Sequence, residues 1–560
     1  MNAQVTAWDV PGQSLTTMAS SLPNRSISTP FVTPRHSIAP HVVAVGCVMD
    51  AGWRRGAEAG EGGQMSEQLR TFAAPPPQSL DRDAAGALIV GFNGTTAPDD
   101  LRRAVAAGLG AVILFTRNVV DAEQVSALTT TLRSERPDLL IAIDHEGGEF
   151  SHLAPANPWP LASPRSLGEL DDLDLTRSSA RDAAATLASL GIDLMLAPSV
   201  DVNSNPANPV ISTRSFGTTA AVVARHGVAF LEGVREAGIA GCPKHFPGHG
   251  DVAVDSHLAL PRVDRSIEQV TAVELAPFKA TIDAGADVIM SAHIVFSAYD
   301  DQPATLSRRI LHGLLREELG FTGVITTDAL EMQAITATRS IEDATVASIR
   351  AGADLAMIAI GEADPHTLTA RLVDAVGNGT LDEARLADAA GRVRSLAASL
   401  ATRNRAPGLD GAPVREVAAR IVARQEFPAL GSSPYVVDLT QGLHPAWNPY
   451  FSGLPEVFAR VAPTSDGVVL RGEDSAALAT AQNAAIGRPL VVALQDAIRT
   501  PWMRAALDHL LQSHEGDIFI LCTGIPEDRA IVPAAVPTAV TYGRNLVVLE
   551  EVAKALTRQP

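Results

Sequence analysis

From about residue 85 onward the chain repeats one pattern: apolar residues at helical spacing, a glycine, then a short unbroken apolar run. The runs read AAGLGAVILF at 106–115, SLGIDLMLAP at 189–198 and EAGIAGCPKHF at 236–246. They return as DAGADVIMSAH at 283–293, ELGFTGVITTDAL at 318–330 and RAGADLAMIAI at 350–360. Glycine ends a helix readily because the left-handed conformation costs it nothing. An apolar run without polar alternation suits a parallel strand covered on both faces. With GALIVGF at 86–92 and LLIAIDHEGG at 139–148 the tally reaches about eight strands, the number that closes a TIM (β/α)8 barrel. An open doubly wound sheet is the alternative, but the first strand continues as GFNGTT and not into a GxGxxG turn.

A helix at about 382–402 is followed by RNRAPGLDGAP, whose proline, glycine and charge read as a linker. Beyond it lie shorter strand candidates: YVVDL at 435, GVVLRG at 467, PLVVALQ at 489, DIFILCTG at 517 and TAVTYG at 538. Helical stretches DSAALATAQNAAIG and TPWMRAALDHLLQSH separate them, which predicts a second, smaller α/β sandwich. The expected division is a barrel over 76–403, a linker over 404–413 and a sandwich domain over 414–560. Residues 1–75, Ser/Pro/Thr-rich at their start and bounded by Pro75, Pro76 and Pro77, are expected to be disordered or to precede a true start at Met65.

Composition narrows the function. Hydrophobic residues make up 46% and charged residues 19% of the 560, a globular composition with material for more than one core. A formal net charge of -19 opposes binding to nucleic acid or an anionic membrane, since neutralising phosphates needs a basic face. No apolar run approaches the roughly 20 residues that span a bilayer. The start lacks a basic segment followed by an apolar one, so no signal peptide is expected. HVVAVGC, ending at Cys47, faintly resembles a lipoprotein cleavage site but is short and lies late. Cys47, Cys242 and Cys522 are far apart and lack CxxC spacing, which fits a reducing cytoplasm.

In a barrel the reacting groups stand where strands end, at the carboxyl face. Strand three runs into Asp144, His145 and Glu146, strand four into Asp201 and Asn203, and strand five into Lys244 and His245. Strand six ends at His293 and strand seven at Asp328. Any one could cap a helix or close a turn; five in succession point to a shared pocket. KHFPGHGDVAVDSH, at 244–257, leaves strand five with Pro247, Gly248 and Gly250 forcing a loop over the pocket. Asp255 stands two residues before His257, so in extended backbone both point the same way and form an acid/base dyad titrating near neutral pH. His245, His249, Asp251, Asp255 and His257 are also metal-ligand types. A barrel metallohydrolase would start with an HxH pair after strand one, where GFNGTT has no histidine; neither metal nor cofactor is expected. Asp328 in VITTDALEM is the candidate nucleophile of a retaining glycosidase, the other reading being a cap for a helix near Leu330.

KHFPGHGDVAVDSH, RSFG at 214–217, DHEGG at 144–148 and TTDALEM at 326–332 together resemble glycoside hydrolase family 3, in particular its β-N-acetylglucosaminidase branch. The resemblance covers roughly residues 85–400, and the C-terminal part is similar, less distinctively, to that of two-domain members. It implies Asp328 as nucleophile, His257 as acid/base and Asp255 as its orienting partner, with Asp144, Arg214, Lys244 and His245 bonding the sugar hydroxyls. The plainer readings are a surface ion pair for Arg214 and a strand-end pairing of Lys244 with Asp144 or Asp201. One departure stands out: the family continues strand three as EGGRVQR, whereas this chain has EGGEFSHL, with Glu149 and His152 at the arginine positions. The second of those arginines normally helps hold the sugar.

The function implied is hydrolysis of terminal β-linked N-acetylglucosamine, from muropeptides or chitin-type fragments, in cytoplasmic cell-wall recycling. A phosphorylase is a second reading, because a neutral histidine in place of a second carboxylate repels inorganic phosphate less. A sugar-binding protein that has lost catalysis is a third, opposed by the retention of Asp328, Asp255 and His257 together.

Overall fold

The computed structural model describes residues 79–153, 161–256, 259–361, 363–440 and 453–558. The N-terminal stretch before residue 79, including Met65, lies outside the described residues. Eight parallel strands form the first sheet: β1 Leu88–Val90, β2 Ala111–Leu114, β3 Leu140–Ile143, β4 Leu194–Met195, β5 Ala240–Gly241, β6 Val288–Ser291, β7 Val324–Ala329 and β8 Leu355–Ile358. Their order is β5-β4-β3-β2-β1-β8-β7-β6. The chain just past β5 joins the two ends: Met290 N–H donates to Pro243 O at 3.1 Å, Phe246 N–H to Met290 O at 2.8 Å and Ala292 N–H to Phe246 O at 2.7 Å. The predicted barrel is therefore a ring, and every predicted strand is in it.

The unbroken apolar runs have a packing reason. Ile89, Ala111, Ile113, Leu140, Ala142, Leu194, Val288, Met290 and Met357 fill the barrel interior. Their sequence neighbours Leu88, Val90, Val112, Leu114, Ile141 and Ile143 pack outward under the helices. Alternate side chains point to opposite faces, so a strand apolar on both faces reads as a continuous run. Val393, Leu396, Ala397 and Leu400 of the helix Glu383–Ala401 join the inner cluster from the end where the strands begin. That leaves the opposite end for chemistry.

Ion pairs tie the strand-beginning end together. Asp354, fully buried just before β8, takes Arg316 and Arg385 guanidinium groups and accepts from Ile325 N–H at 2.8 Å. Removing the carboxylate leaves two guanidinium groups in a poorly solvated place. Asp354→Ala is expected to lose about 3–5 kcal/mol of stability, read from urea unfolding, with the KM of the folded protein unchanged.

The second sheet is also parallel: β9 Tyr435–Leu439, β10 Asp466–Leu470, β11 Leu490–Leu494, β12 Ile518–Cys522 and β13 Thr538–Val540, in the order β10-β9-β11-β12-β13. Its two faces are again apolar. Val437, Leu490 and Val492 pack toward the helix Pro501–Ser513, while Val436, Val491 and Phe519 pack toward Leu454–Val461 and Leu546–Thr557.

The stretch read as a linker is fastened to the barrel. Arg405 pairs with Asp193 at 2.8 Å, and Gly411 N–H donates to Asp182 at 2.9 Å. The helix Ala412–Ala423 then begins inside the predicted linker and packs on both Leu173–Ser189 and Leu546–Thr557. Proline and glycine composition signals irregular backbone, and here distant carboxylates bind that backbone.

Candidate active site

β3 ends at Ile143, and the chain continues into a short antiparallel hairpin, His145–Gly147 against Phe150–Ser151. Gly147 has φ 108°, and a Cβ there would stand 2.2 Å from Ala162 O. Only glycine fits this turn. The hairpin puts Asp144 and Glu146 beside Lys244, whose ammonium reaches Asp144 Oδ1 at 2.5 Å and Glu146 Oε1 at 2.6 Å. Arg214, on a single turn Ser212–Arg214, forks onto the same Glu146 at 2.7 and 2.8 Å, with the Phe150 ring centroid 5.0 Å from its guanidinium carbon.

Both cations are buried, so Arg214 is no surface pair, and Lys244 bonds to Asp144 and Glu146 instead of Asp201. Burial would raise Glu146 and lower both cations. The mutual charges outweigh it, holding Glu146 well below the carboxylate range and Arg214 and Lys244 above their usual values. Asp144 remains a quarter exposed.

Behind Arg214 lies a second charged centre. Asp201 is fully buried and accepts from His245 Nδ1 at 2.7 Å, His249 N–H at 2.6 Å and Ser199 Oγ at 2.8 Å. Burial works to raise Asp201, but the His245 imidazole and these donors hold it below its ordinary value. Because Nδ1 donates to the carboxylate, neutral His245 has an unprotonated Nε2, which faces Arg214 Nη2 at 3.2 Å as acceptor. Asp201 thereby sets the tautomer of a predicted sugar contact.

Asp328 is the next-to-last residue of β7 and accepts from Ala329 N–H at 2.8 Å. The next helix, Gln333–Thr336, has Met332 at its cap position, so Asp328 does not cap it. His293, at the end of β6, donates from Nε2 to Ala329 O at 2.8 Å, and its Nδ1 lies 2.9 Å from Thr305 Oγ1. A carbonyl can only accept, so His293 is a strut for the peptide beside Asp328. Cys242, just past β5, is buried. Burial pushes its thiol above the usual range, Lys244 opposes this, and both Asp144 and Asp328 add to it. One thiol thus feels the strand-three carboxylate and the strand-seven carboxylate together.

The loop after Lys244 is held at several points. Arg265 bridges Asp251 at 2.6 Å and Glu274 at 3.0 Å. His249 Nε2 lies 3.1 Å from Ser256 Oγ, and Ala334 N–H donates to Ser256 O at 3.4 Å. Ser256, between Asp255 and His257, is thus stitched to the segment following Asp328. Ala259 N–H donates to Asp255 O at 3.0 Å. His257 lies outside the described residues.

Two groups central to this geometry, Glu146 and Asp201, are absent from the residues singled out as sugar contacts. For Glu146 the signal was spacing: Asp144 and Glu146 sit two apart at a strand end, which puts both on one side. Of the two departures from the arginine pattern, His152 bonds Thr116 Oγ1 through Nδ1 at 2.8 Å and meets the Phe115 ring edge-on at 5.0 Å between centroids. Burial lowers His152, against the pull of Asp144. Glu149 turns away from the barrel axis toward the second sheet, where it meets Gln495 and Arg544. Among the described residues no cluster of three or more His, Cys, Asp or Glu side chains forms a metal-binding group, and no helix is long and apolar enough to cross a membrane.

The chain is similar to known proteins. The pattern of the glycosyl hydrolase family 3 N terminal domain matches residues 90–396, which hold the ion cluster, the strand-five loop and Asp328. Beta-hexosaminidase A of Pseudoalteromonas piscicida is 36% identical over 336 residues, 55% of this chain and 56% of that protein, so the chain spans little more than half of that relative. Beta-hexosaminidase of Idiomarina loihiensis is 37% identical over 265 residues, 46% of this chain and 79% of that protein. Among solved structures, a glycoside hydrolase family 3 beta-N-acetylglucosaminidase from a Paenibacillus species has a TM-score of 0.77 at 29% identity, covering 85% of this chain and 96% of that one. A barrel with this motif set, matched over more than half its length, belongs to glycosyl hydrolase family 3.

Proposed function

We propose that this chain is a retaining β-N-acetylglucosaminidase that removes terminal β-linked N-acetylglucosamine through a covalent glycosyl-aspartate. The observation that carries the reading is one Arg214–Glu146–Lys244–Asp144 ion cluster and Asp328, all standing at the carboxyl ends of the barrel strands. Such a cluster presents fixed donors and acceptors to vicinal hydroxyls, as sugar recognition requires. The names of the relatives favour the same substrate class.

In this mechanism Asp144, Arg214, Lys244 and His245 hold the sugar, and Asp328 attacks the anomeric carbon. His257, oriented by Asp255, protonates the departing oxygen and then takes a proton from the attacking water. His257 enters on the strength of its motif alone. Ser256 supports it, because its carbonyl accepts from Ala334 N–H and so brings that motif to the segment after Asp328. A role on muropeptide or chitin-type fragments in the cytoplasm follows from the resemblance.

The test is turnover of p-nitrophenyl N-acetyl-β-glucosaminide with and without inorganic phosphate, with the sugar product followed by NMR. Free N-acetylglucosamine released first as the β anomer, at a rate indifferent to phosphate, is the expected result. A sugar 1-phosphate formed in proportion to phosphate would make the enzyme a phosphorylase. Binding without turnover would make it a sugar-binding protein.

A further inference from the structure

The hairpin that carries Glu146 and Phe150 is gripped from outside the barrel. Glu149 Oε1 accepts from Thr213 Oγ1 at 3.1 Å and from Gln495 Nε2 at 2.9 Å, while Oε2 accepts from Arg544 N–H at 3.0 Å. Thr213 is the residue before Arg214, Gln495 directly follows β11, and Arg544 lies just beyond β13. Arg544 is itself locked, forking onto Asp438 of β9 at 3.0 and 2.7 Å. Two flanking bonds complete the seam: Ser163 Oγ donates to Tyr542 O at 2.6 Å and Asn545 Nδ2 to Leu161 O at 3.1 Å.

An open parallel sheet binds ligands outside the carboxyl ends of its strands, where the strand order reverses. In the second sheet that point lies between β9 and β11, where Asp438, Gln495 and Arg544 converge. The barrel's own Glu149 carboxylate fills it.

We propose that Glu149 is an internal ligand of the second sheet and a positioning residue for the sugar site, through which that sheet sets the geometry of Glu146 and Arg214. The reading rests on the proposed sugar-binding role of that cluster. Its physical basis is donor satisfaction. Three donors from three segments converge on one buried carboxylate, and losing it strands all of them away from water. The hairpin and the Ser212–Arg214 turn then lose their common anchor, and the fork between Glu146 and Arg214 loses its alignment. Burial is the main influence pushing the Glu149 carboxyl above its ordinary range, and the Arg544 backbone N–H opposes it. Glutamine keeps the oxygen facing Thr213 and Gln495 but turns an amide toward the Arg544 N–H, so it rescues only in part.

The full chain is compared as wild type, Glu149→Gln, Glu149→Ala, Gln495→Leu and the Glu149→Ala/Gln495→Leu double variant. KM and kcat are measured on p-nitrophenyl N-acetyl-β-glucosaminide, and hydrogen exchange on peptides covering 145–153 and 208–217. Glu149→Ala is expected to raise KM about 10-fold with kcat within about 3-fold, the signature of lost binding common to ground and transition states. Glu149→Gln should fall between, and the double variant should be no worse than Glu149→Ala. Exchange should rise in both peptides in every variant.

A KM within twofold of wild type in Glu149→Ala, or unchanged exchange, overturns the proposal. Should Glu149→Ala not fold, Gln495→Leu and Glu149→Gln decide by the same readouts. If the wild type does not turn the substrate over, the proposed function fails, and exchange alone still tests the anchoring.

Discussion

Asp328→Ala is expected to lower kcat on p-nitrophenyl N-acetyl-β-glucosaminide by at least ~10⁴-fold, on the scale seen when a covalent nucleophile is removed. Binding of N-acetylglucosamine, followed by calorimetry, stays measurable, because the buried ion cluster on the strand-three and strand-five side is intact. The vacated space also admits a small anion. Added azide should restore part of the turnover and give the α-glycosyl azide, since the attack comes from the face Asp328 occupied. Wild-type activity in the variant, or a β-glycosyl azide, would remove Asp328 from the nucleophile role. His293 should not share this effect, because its Nε2 proton is committed to Ala329 O.

Glu146→Ala is expected to be the most destabilising change at the site. It leaves Arg214 without its fork and Lys244 with Asp144 alone, both cations remaining buried. Breaking a buried pair in this way costs about 3–5 kcal/mol, read as a lower urea midpoint at unchanged m value. Glu146→Gln keeps the shape and removes the charge, which isolates the electrostatic part. The pH dependence has a definite sign. Glu146 is held below its unfolded value of about 4.3, so its contribution is complete above that pH and fades as the pH falls toward the folded value. Between about pH 5 and pH 3 the wild type should therefore lose stability faster than Glu146→Gln. Parallel stability curves for the two would show that the charge contributes nothing.

The barrel was legible because its rule is local. Each strand is buried on both faces, so each run from GALIVGF to RAGADLAMIAI is apolar without alternation. The carboxyl-end rule then placed Asp144, Lys244, His245 and Asp328 on one face of the barrel before any distance was known. Glu146 and Asp201 were harder. A glutamate at a strand end and an aspartate beside an asparagine look like capping residues, and their weight comes from partners 68 and 44 positions away.

At two places the local pattern left the partners open. Ser256, beside Asp255, bonds to His249 and to the backbone of Ala334. RNRAPGLDGAP reads as a linker, and Asp182 and Asp193 bind it. In both cases the deciding groups lie elsewhere in the chain, where no window around the segment contains them.

Short-range order in the residues was enough to specify a parallel barrel with its strand count, a second α/β domain and the face on which chemistry would gather, since burial on both faces and strand-end placement leave local marks. Folding in three dimensions settled which charges neutralise one another, which nitrogen of His245 carries the proton, and where Glu149 points. Those outcomes depend on side chains brought within about 3 Å across long separations, where Coulomb attraction and desolvation compete. A one-dimensional pattern has no access to that competition.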